Sequence, residues 1–175
     1  AASGTCSACP PDMHVTAGSG ACAPCGSGSV PAGDGASCRS CAPGKHAAAG
    51  SRACTDCPRG YVPASDRGSC DPCTPGTYAA SGDAACTPCP NGTMASAASE
   101  ACAVCAGGYF PDADATSCVP CAGGTFAVPG DATCTLCGPG YFSQAASDRC
   151  TACDTNKYAA AGSSTCQACS SGSAP

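Results

Sequence analysis

The residues of this chain with the clearest capacity for chemistry are its cysteines, which number 22 in 175 residues. They form eleven Cys-x-x-Cys pairs, and the first cysteines of successive pairs always lie 16 residues apart. Such pairs serve as structural disulfides, as zinc ligands or as redox-active dithiols. Which chemistry applies depends on the repeat that carries them. The repeats begin at Cys6, Cys22, Cys38, Cys54, Cys70, Cys86, Cys102, Cys118, Cys134, Cys150 and Cys166.

Composition excludes several classes of protein. The chain has no Trp, three Phe and five Tyr, and its 43% hydrophobic content is largely Ala and Cys, which bury little area each. The net charge is −5 and the seven Lys and Arg residues are scattered, so no nucleic-acid partner is expected. No apolar run approaches the roughly 20 residues of a membrane span, so we expect no membrane insertion of this segment.

Position seven of each repeat, counted from its first cysteine, predicts a left-handed turn. Glycine holds it in nine repeats, and Asp or Asn, the other residues that best tolerate positive φ, hold it in two. The predicted turn residues are Asp12, Gly28, Gly44, Gly60, Gly76, Gly92, Gly108, Gly124, Gly140, Asn156 and Gly172. Asn in place of Gly76 or Gly108 should therefore be mild. Positions ten and thirteen distinguish two roughly alternating repeat types, one with Pro and Asp there, the other with Ala and Gly.

Position nine holds one mostly large side chain per repeat. We predict that these side chains are largely buried and exclude water between repeats. Two histidines share the position and are interpreted as packing residues, because no Ser or Cys partner is placed for catalysis, so no catalytic residue and no cofactor are expected. The predicted packing residues are His14, His46, Tyr78, Phe110, Phe126, Phe142 and Tyr158.

Three uniform disulfide schemes are compatible with a strict repeat: within a pair, from a second cysteine to the next first cysteine, or across two neighbouring pairs. The first scheme is typical of redox catalysis. The third joins repeats two by two, so one of the eleven repeats would be left without a partner. We therefore favour the second, which closes loops of about 14 residues and gains roughly 3 kcal/mol from each bridge. It predicts Cys9–Cys22, Cys25–Cys38, Cys41–Cys54, Cys57–Cys70, Cys73–Cys86, Cys89–Cys102, Cys105–Cys118, Cys121–Cys134, Cys137–Cys150 and Cys153–Cys166.

This scheme leaves Cys6 and Cys169 without partners in the chain. We therefore expect the chain to be part of a longer array, or its end cysteines to bond to neighbouring subunits. A four-cysteine zinc site is the main alternative, but an odd number of pairs leaves one pair over, so no metal site is predicted. A redox role needs a βαβ context that the sequence lacks.

One modification motif stands at a predicted turn. Asn91-Gly92-Thr93 is an N-glycosylation sequon, which predicts a covalent glycan on Asn91 and suits a secreted protein. Aspartates recur near the far end of the repeats without a calcium-loop pattern and are interpreted as turn formers.

The stretches "CTPCPNGTMASAASEAC" and "CDPCTPGTYAASGDAAC" resemble the cysteine-rich repeat of ephrin-receptor-like modules. They are also similar to the first loop of tumour necrosis factor receptor modules and to cysteine-rich surface proteins of protists. In the receptor modules a disulfide closes that loop, so the resemblance implies the pairing given above. Proteins built from such modules serve as stalks, receptors and coats.

The predicted fold is therefore one continuous array over residues 1–175: an elongated rod of eleven small, disulfide-stapled, hairpin-like units with little regular secondary structure and no helix bundle. We expect a non-enzymatic, extracellular structural protein, a rod- or fibre-forming segment of a cell-surface appendage or coat. Its expected partners are copies of itself, other extracellular structural chains and covalent glycans. The alternative is the ligand-binding ectodomain of a cell-surface receptor.

Overall fold

The computed structural model describes residues 9–16 and 18–169 of the chain. In this part the protein consists of short two-stranded hairpins, one per repeat, each closed by a disulfide, with no helix. The described residues accordingly offer no helix that could cross a membrane. The fold is thus a series of small disulfide-stapled hairpins, as the repeat predicts.

Contacts divide the chain into two compact units. The first holds the described residues up to Cys73 together with Ala79–Thr87, and the second holds Thr74–Tyr78 and the described residues from Pro88 onward. The 16-residue spacing runs through this division unchanged, so the sequence predicts a single array, although the alternation of repeat types slips between the repeats that begin at Cys70 and Cys86.

The strands are two or three residues long. The first unit contains β1 (Met13–Val15), β2 (Cys22–Pro24), β3 (Ser29–Pro31), β4 (Cys38–Ser40), β5 (Lys45–His46), β6 (Thr55–Asp56), β7 (Tyr61–Pro63) and β8 (Cys70–Pro72). Where the chain passes from one unit to the other lie β9 (Thr77–Tyr78) and β10 (Thr87–Pro88). The second unit contains β11 (Thr93–Met94), β12 (Ala103–Val104), β13 (Tyr109–Pro111), β14 (Cys118–Pro120), β15 (Thr125–Phe126), β16 (Thr135–Leu136), β17 (Tyr141–Phe142), β18 (Thr151–Ala152), β19 (Lys157–Tyr158) and β20 (Gln167–Ala168).

Each hairpin has the same register. The residue at position nine faces the residue that follows the next repeat's first cysteine, as Val30 faces Arg39 in β3–β4 and Phe126 faces Thr135 in β15–β16. A disulfide lies beside every pair of strands, with the two Cα atoms of the Cys25–Cys38 bridge 5.8 Å apart. A slip by one residue would move every side chain to the opposite face, so the bridge also fixes which face packs inward.

The two repeat types correspond to two turn geometries. In the proline type the first strand extends to position ten, as in β3, β7 and β13. Besides the residue at position seven, a second residue with positive φ stands at position fourteen. In the glycine type that residue is at position thirteen, as at Gly50 and Gly130. Proline has no N–H, and the position-ten N–H of the other repeats donates to the following repeat. Ala47 and Ala95 donate in this way to the carbonyls of Arg67 and Ala115, at 2.9 Å each.

The left-handed turn at position seven occurs where the sequence predicts it in nine repeats. Positive φ is found at Gly28, Gly44, Gly60, Gly76, Gly92, Gly108, Gly124, Gly140 and Asn156. Asp12 is an exception, because its φ is not positive although Met13 N–H still donates to the Pro10 carbonyl at 2.9 Å. A type I turn makes that hydrogen bond with negative φ, so Asp suffices there. Gly172 lies outside the described residues.

A second structural constraint also requires glycine at position seven, and the sequence pattern does not show it. A Cβ built at Gly108 would overlap the carbonyl oxygen of Ala146, two repeats further along the chain, and one at Gly76 would overlap that of Asp114. The expectation that Asn is mild at these two glycines is therefore wrong, because any side chain there displaces a backbone segment. At Gly140, by contrast, a Cβ would meet no atom within 4 Å among the described residues.

The core consists of cysteines and alanines. The fully buried residues are mainly the second cysteines of the pairs and the residues at position ten: Cys25, Cys41, Cys57, Cys73, Cys105, Cys121, Cys137, Ala47, Ala79, Ala95, Ala127, Ala159 and Ser143. Position ten is buried because its backbone joins neighbouring repeats directly. The Ala127 carbonyl, for example, accepts from Gly108 N–H at 2.7 Å. Backbones this close leave room for a methyl group and not for a ring.

We predict that Gly108→Asn lowers the free energy of unfolding by more than about 2 kcal/mol, since it adds both strain and overlap. The matched variant Gly140→Asn has nearly the same φ, 81° against 82°, but no overlap, and should cost less than about 1 kcal/mol. Guanidinium unfolding of the oxidised protein measures both. Equal effects would show that the close approach of Ala146 does not matter.

We also predict that Ala127→Leu destabilises the protein by about 1–3 kcal/mol, because Ala127 is 0% exposed and a leucine would overpack its site. Val128→Leu is the control, since the adjacent Val128 is 46% exposed. It should change stability by less than about 0.5 kcal/mol. Loss of stability in the control alone would contradict the assignment of the core.

Candidate functional site

Ten disulfides join the second cysteine of one pair to the first cysteine of the next. They have the pairing favoured above, from Cys9–Cys22 through Cys153–Cys166, each with a sequence separation of 13. Because each of these sulfurs is bonded to another, none is a thiolate available to zinc in this state. Cys169 is free and partly buried, whereas Cys6 lies outside the described residues.

The position-nine side chain of one repeat lies against the next disulfide along the chain. Val30 packs in one cluster with Cys41, Ala47 and Cys54, and so covers the Cys41–Cys54 bridge. Val30 is also fully buried. This contact places whatever residue occupies position nine beside a pair of bonded sulfurs, which is how the repeat positions a chemically active side chain.

The expectation that the large position-nine residues are largely buried is wrong for Tyr158, which is 47% exposed. Most of the surface of the other six is covered, although none is fully buried: His14, His46, Tyr78, Phe110, Phe126 and Phe142. Direct backbone contact at position ten closes the space between repeats, so no ring enters it. The rings therefore cover the core from outside and do not form it.

The two histidines make the same contact at two places in the first unit. His14 Nδ1 lies 3.2 Å from Cys38 Sγ and 3.8 Å from Cys25 Sγ. His46 Nδ1 lies 3.1 Å from Cys70 Sγ and 3.7 Å from Cys57 Sγ. In each group the ligand atoms lie within 4.8 Å of one another.

This arrangement offers two kinds of chemistry. With its proton on Nδ1 the imidazole donates to sulfur, which is a weak acceptor. If the bridge were reduced, one nitrogen and two sulfurs would be the ligand types that Zn²⁺ prefers. The repeat pattern assigns both histidines to position nine, but it does not predict the cysteine sulfurs that they contact. The available signal was that each histidine precedes its two cysteines by 11 and 24 residues in both copies.

The aspartates near the hairpin ends act in turns. Asp34 accepts from Ala36 N–H at 2.9 Å and Asp66 accepts from Gly68 N–H at 2.9 Å, each within its own loop. Asp112 accepts hydroxyl hydrogen bonds from Thr116 and Ser117, both 2.7 Å, and these with the Thr116 N–H lower the pKa of Asp112 to about 2. The carboxylates are thus held by their own turns, which agrees with the interpretation as turn formers.

Asn91 is exposed in the turn before β11. The hydroxyl of Thr93 donates to the Pro90 carbonyl at 2.6 Å, and the asparagine faces a shallow cleft that is also lined by Asp112 and Asp114. The sequon is therefore presented on the surface of the second unit.

Comparison with known proteins adds no relative. No family model matches the chain, and no curated protein is significantly similar to it.

We predict that the protein made in a eukaryotic secretory pathway carries an N-glycan on Asn91, because the sequon is exposed at a turn. Digestion with an amidase that releases N-glycans should lower the mass of the wild type and convert residue 91 to Asp. Asn91→Gln is the control and should show no shift. An unmodified Asn91 in fully secreted material would contradict this prediction.

Proposed function

We propose that this chain is an extracellular structural protein, a rod- or fibre-forming segment of a cell-surface appendage or coat. The observation that carries the proposal is a main-chain hydrogen bond between successive repeats. The position-seven N–H donates to the position-ten carbonyl of the next repeat, as in Gly28 to Ala47 and Gly124 to Ser143, at 2.8 Å each. This bond uses main-chain atoms only, so it can be propagated without regard to surface sequence.

A second main-chain hydrogen bond between repeats supports the same function. The position-thirteen N–H returns to the carbonyl of the preceding repeat's second cysteine, as in Gly50 to Cys25 and Gly162 to Cys137, at 2.8 and 2.9 Å. Where the following repeat is of the glycine type, as from the repeat of Cys22 to that of Cys38, the two repeats are therefore attached at both ends of the hairpin. Main-chain hydrogen bonds between successive repeats suit a load-bearing or space-filling role, because each added repeat brings its own attachment.

The disulfides suit an oxidising location, where such bonds persist. Extracellular placement follows from this chemistry as part of the proposal. Assembly partners would meet exposed apolar side chains in the second unit, of which Val104 and Leu136 are each 59% exposed at position three of their repeats. We propose that further copies of the chain, or other structural chains, cover them.

The ligand-binding ectodomain of a receptor is the second candidate. The same exposed side chains favour it, because apolar surface on a monomer commonly marks an interaction site. Against it stands the invariant loop length, since binding sites are usually built from loops of differing length.

Immunogold electron microscopy of cells that produce the protein distinguishes the two candidates. An antibody to the folded chain should label a continuous filament or coat at regular intervals. Scattered single particles at the plasma membrane would instead support the receptor, and label confined to the cytoplasm would contradict both.

We predict that the oxidised chain resists extension. Under force each oxidised repeat can lengthen only along the path from Cys22 to Cys25 and across one bridge, about 16 Å in total, whereas a reduced repeat extends to about 55 Å. Single-molecule pulling with and without a reductant measures both lengths. Equal contour lengths under the two conditions would contradict the load-bearing role of the bridges.

A further inference from the structure

We propose that two of the ten disulfides, Cys25–Cys38 and Cys57–Cys70, are thiol-exchange sites, at which His14 and His46 protonate the leaving sulfur. The co-reactant is a small or protein-borne thiol, which becomes attached to the chain as a mixed disulfide. This activity goes beyond the structural function proposed above and does not depend on it.

The same contact between an imidazole and a disulfide occurs twice in the first unit. Both histidines place Nδ1 beside a bridge, and the corresponding distances agree within 0.1 Å between the copies: 3.2 and 3.1 Å to the sulfurs of Cys38 and Cys70, 3.8 and 3.7 Å to those of Cys25 and Cys57. At Cys41–Cys54, which lies between these bridges in the chain, the same slot holds Val30, which has no proton to give.

Burial determines which sulfur is attacked. Cys25 is 1% exposed and Cys57 is 0% exposed, whereas Cys38 and Cys70 are partly exposed. An incoming thiolate can therefore reach the sulfur of Cys38 or Cys70. The sulfur of Cys25 or Cys57 must then leave inside the core.

A buried leaving sulfur is slow to depart as a thiolate, because burial disfavours the charged form. This barrier should protect bridges of the Cys41–Cys54 kind. At the two histidine bridges, Nδ1 lies 3.8 and 3.7 Å from the leaving sulfur, so an imidazolium there can neutralise the charge as it develops, which is general acid catalysis. The two bridges thus resemble Cys41–Cys54 in burial and differ from it in having a proton donor.

A thiolate RS⁻ attacks Cys38 Sγ, the Sγ–Sγ bond breaks and its electron pair remains on Cys25 Sγ. Cys25 Sγ takes the proton from Nδ1 of the His14 imidazolium, which becomes neutral imidazole and is protonated again from the solvent. The products are RS–SγCys38 and the Cys25 thiol, with no net oxidation. The same step at the second site joins the thiol to Cys70 and leaves Cys57 as the thiol.

The test uses the whole oxidised protein with glutathione as the thiol. After acid quenching and alkylation, peptide mapping gives the rate of mixed-disulfide formation at each cysteine. Glutathione should add to Cys38 and Cys70 at least about tenfold faster than to Cys54, the matched site beside Val30. Equal rates at all bridges, or addition to Cys25 and Cys57, would overturn the proposal.

His14→Phe introduces the ring that other repeats have at this position. It should slow exchange at Cys25–Cys38 by about tenfold and leave Cys57–Cys70 unchanged as an internal control. An unchanged rate at Cys25–Cys38 would refute the role of the imidazole. Because a variant can also act through folding, Phe110→His provides the converse test: it should accelerate exchange at Cys121–Cys134, and no acceleration would count against the proposal.

Discussion

The structure depends on the disulfide between the second cysteine of one repeat and the first cysteine of the next. In seven of the described repeats the second cysteine is itself fully buried, so the bridge is both the covalent closure of the hairpin and the main part of its core. A loop of this size contributes roughly 3 kcal/mol through its bridge, by the loop-closure account. That is comparable with burying one large apolar side chain, and this sequence has few such side chains.

Bridged hairpins can approach one another closely because the residues at their crossings are small. Position seven has glycine, whose missing Cβ admits a carbonyl from two repeats away, as Gly124 admits that of Gly162. Position ten has alanine, whose N–H bonds to the following repeat and whose carbonyl bonds to the preceding one, as Ala127 shows. Repeats with proline at position ten lack the donor N–H, and Arg67 and Ala115, at position fourteen of two such repeats, supply the acceptor carbonyl.

Features fixed within a single repeat could be predicted from the sequence. The pairing of the cysteines and the left-handed turn depend on spacing and on residue type at one position, and a strict period repeats that information ten times. Features that depend on contacts between repeats could not. Only the three-dimensional arrangement shows that position-seven glycines contact carbonyl groups of other repeats and that alanines form the core. The partial exposure of Phe110 and Phe142 also depends on it. The same holds for the disulfide neighbours of His14 and His46, which lie in other repeats.

The most direct test of this account is the disulfide map of the native protein, obtained by proteolysis without reduction and mass spectrometry of the linked peptides. The account predicts ten bonds with a separation of 13 residues, among them Cys41–Cys54 and Cys121–Cys134. Bonds within a pair, such as Cys22 to Cys25, or bonds across neighbouring pairs, such as Cys22 to Cys38, would contradict it.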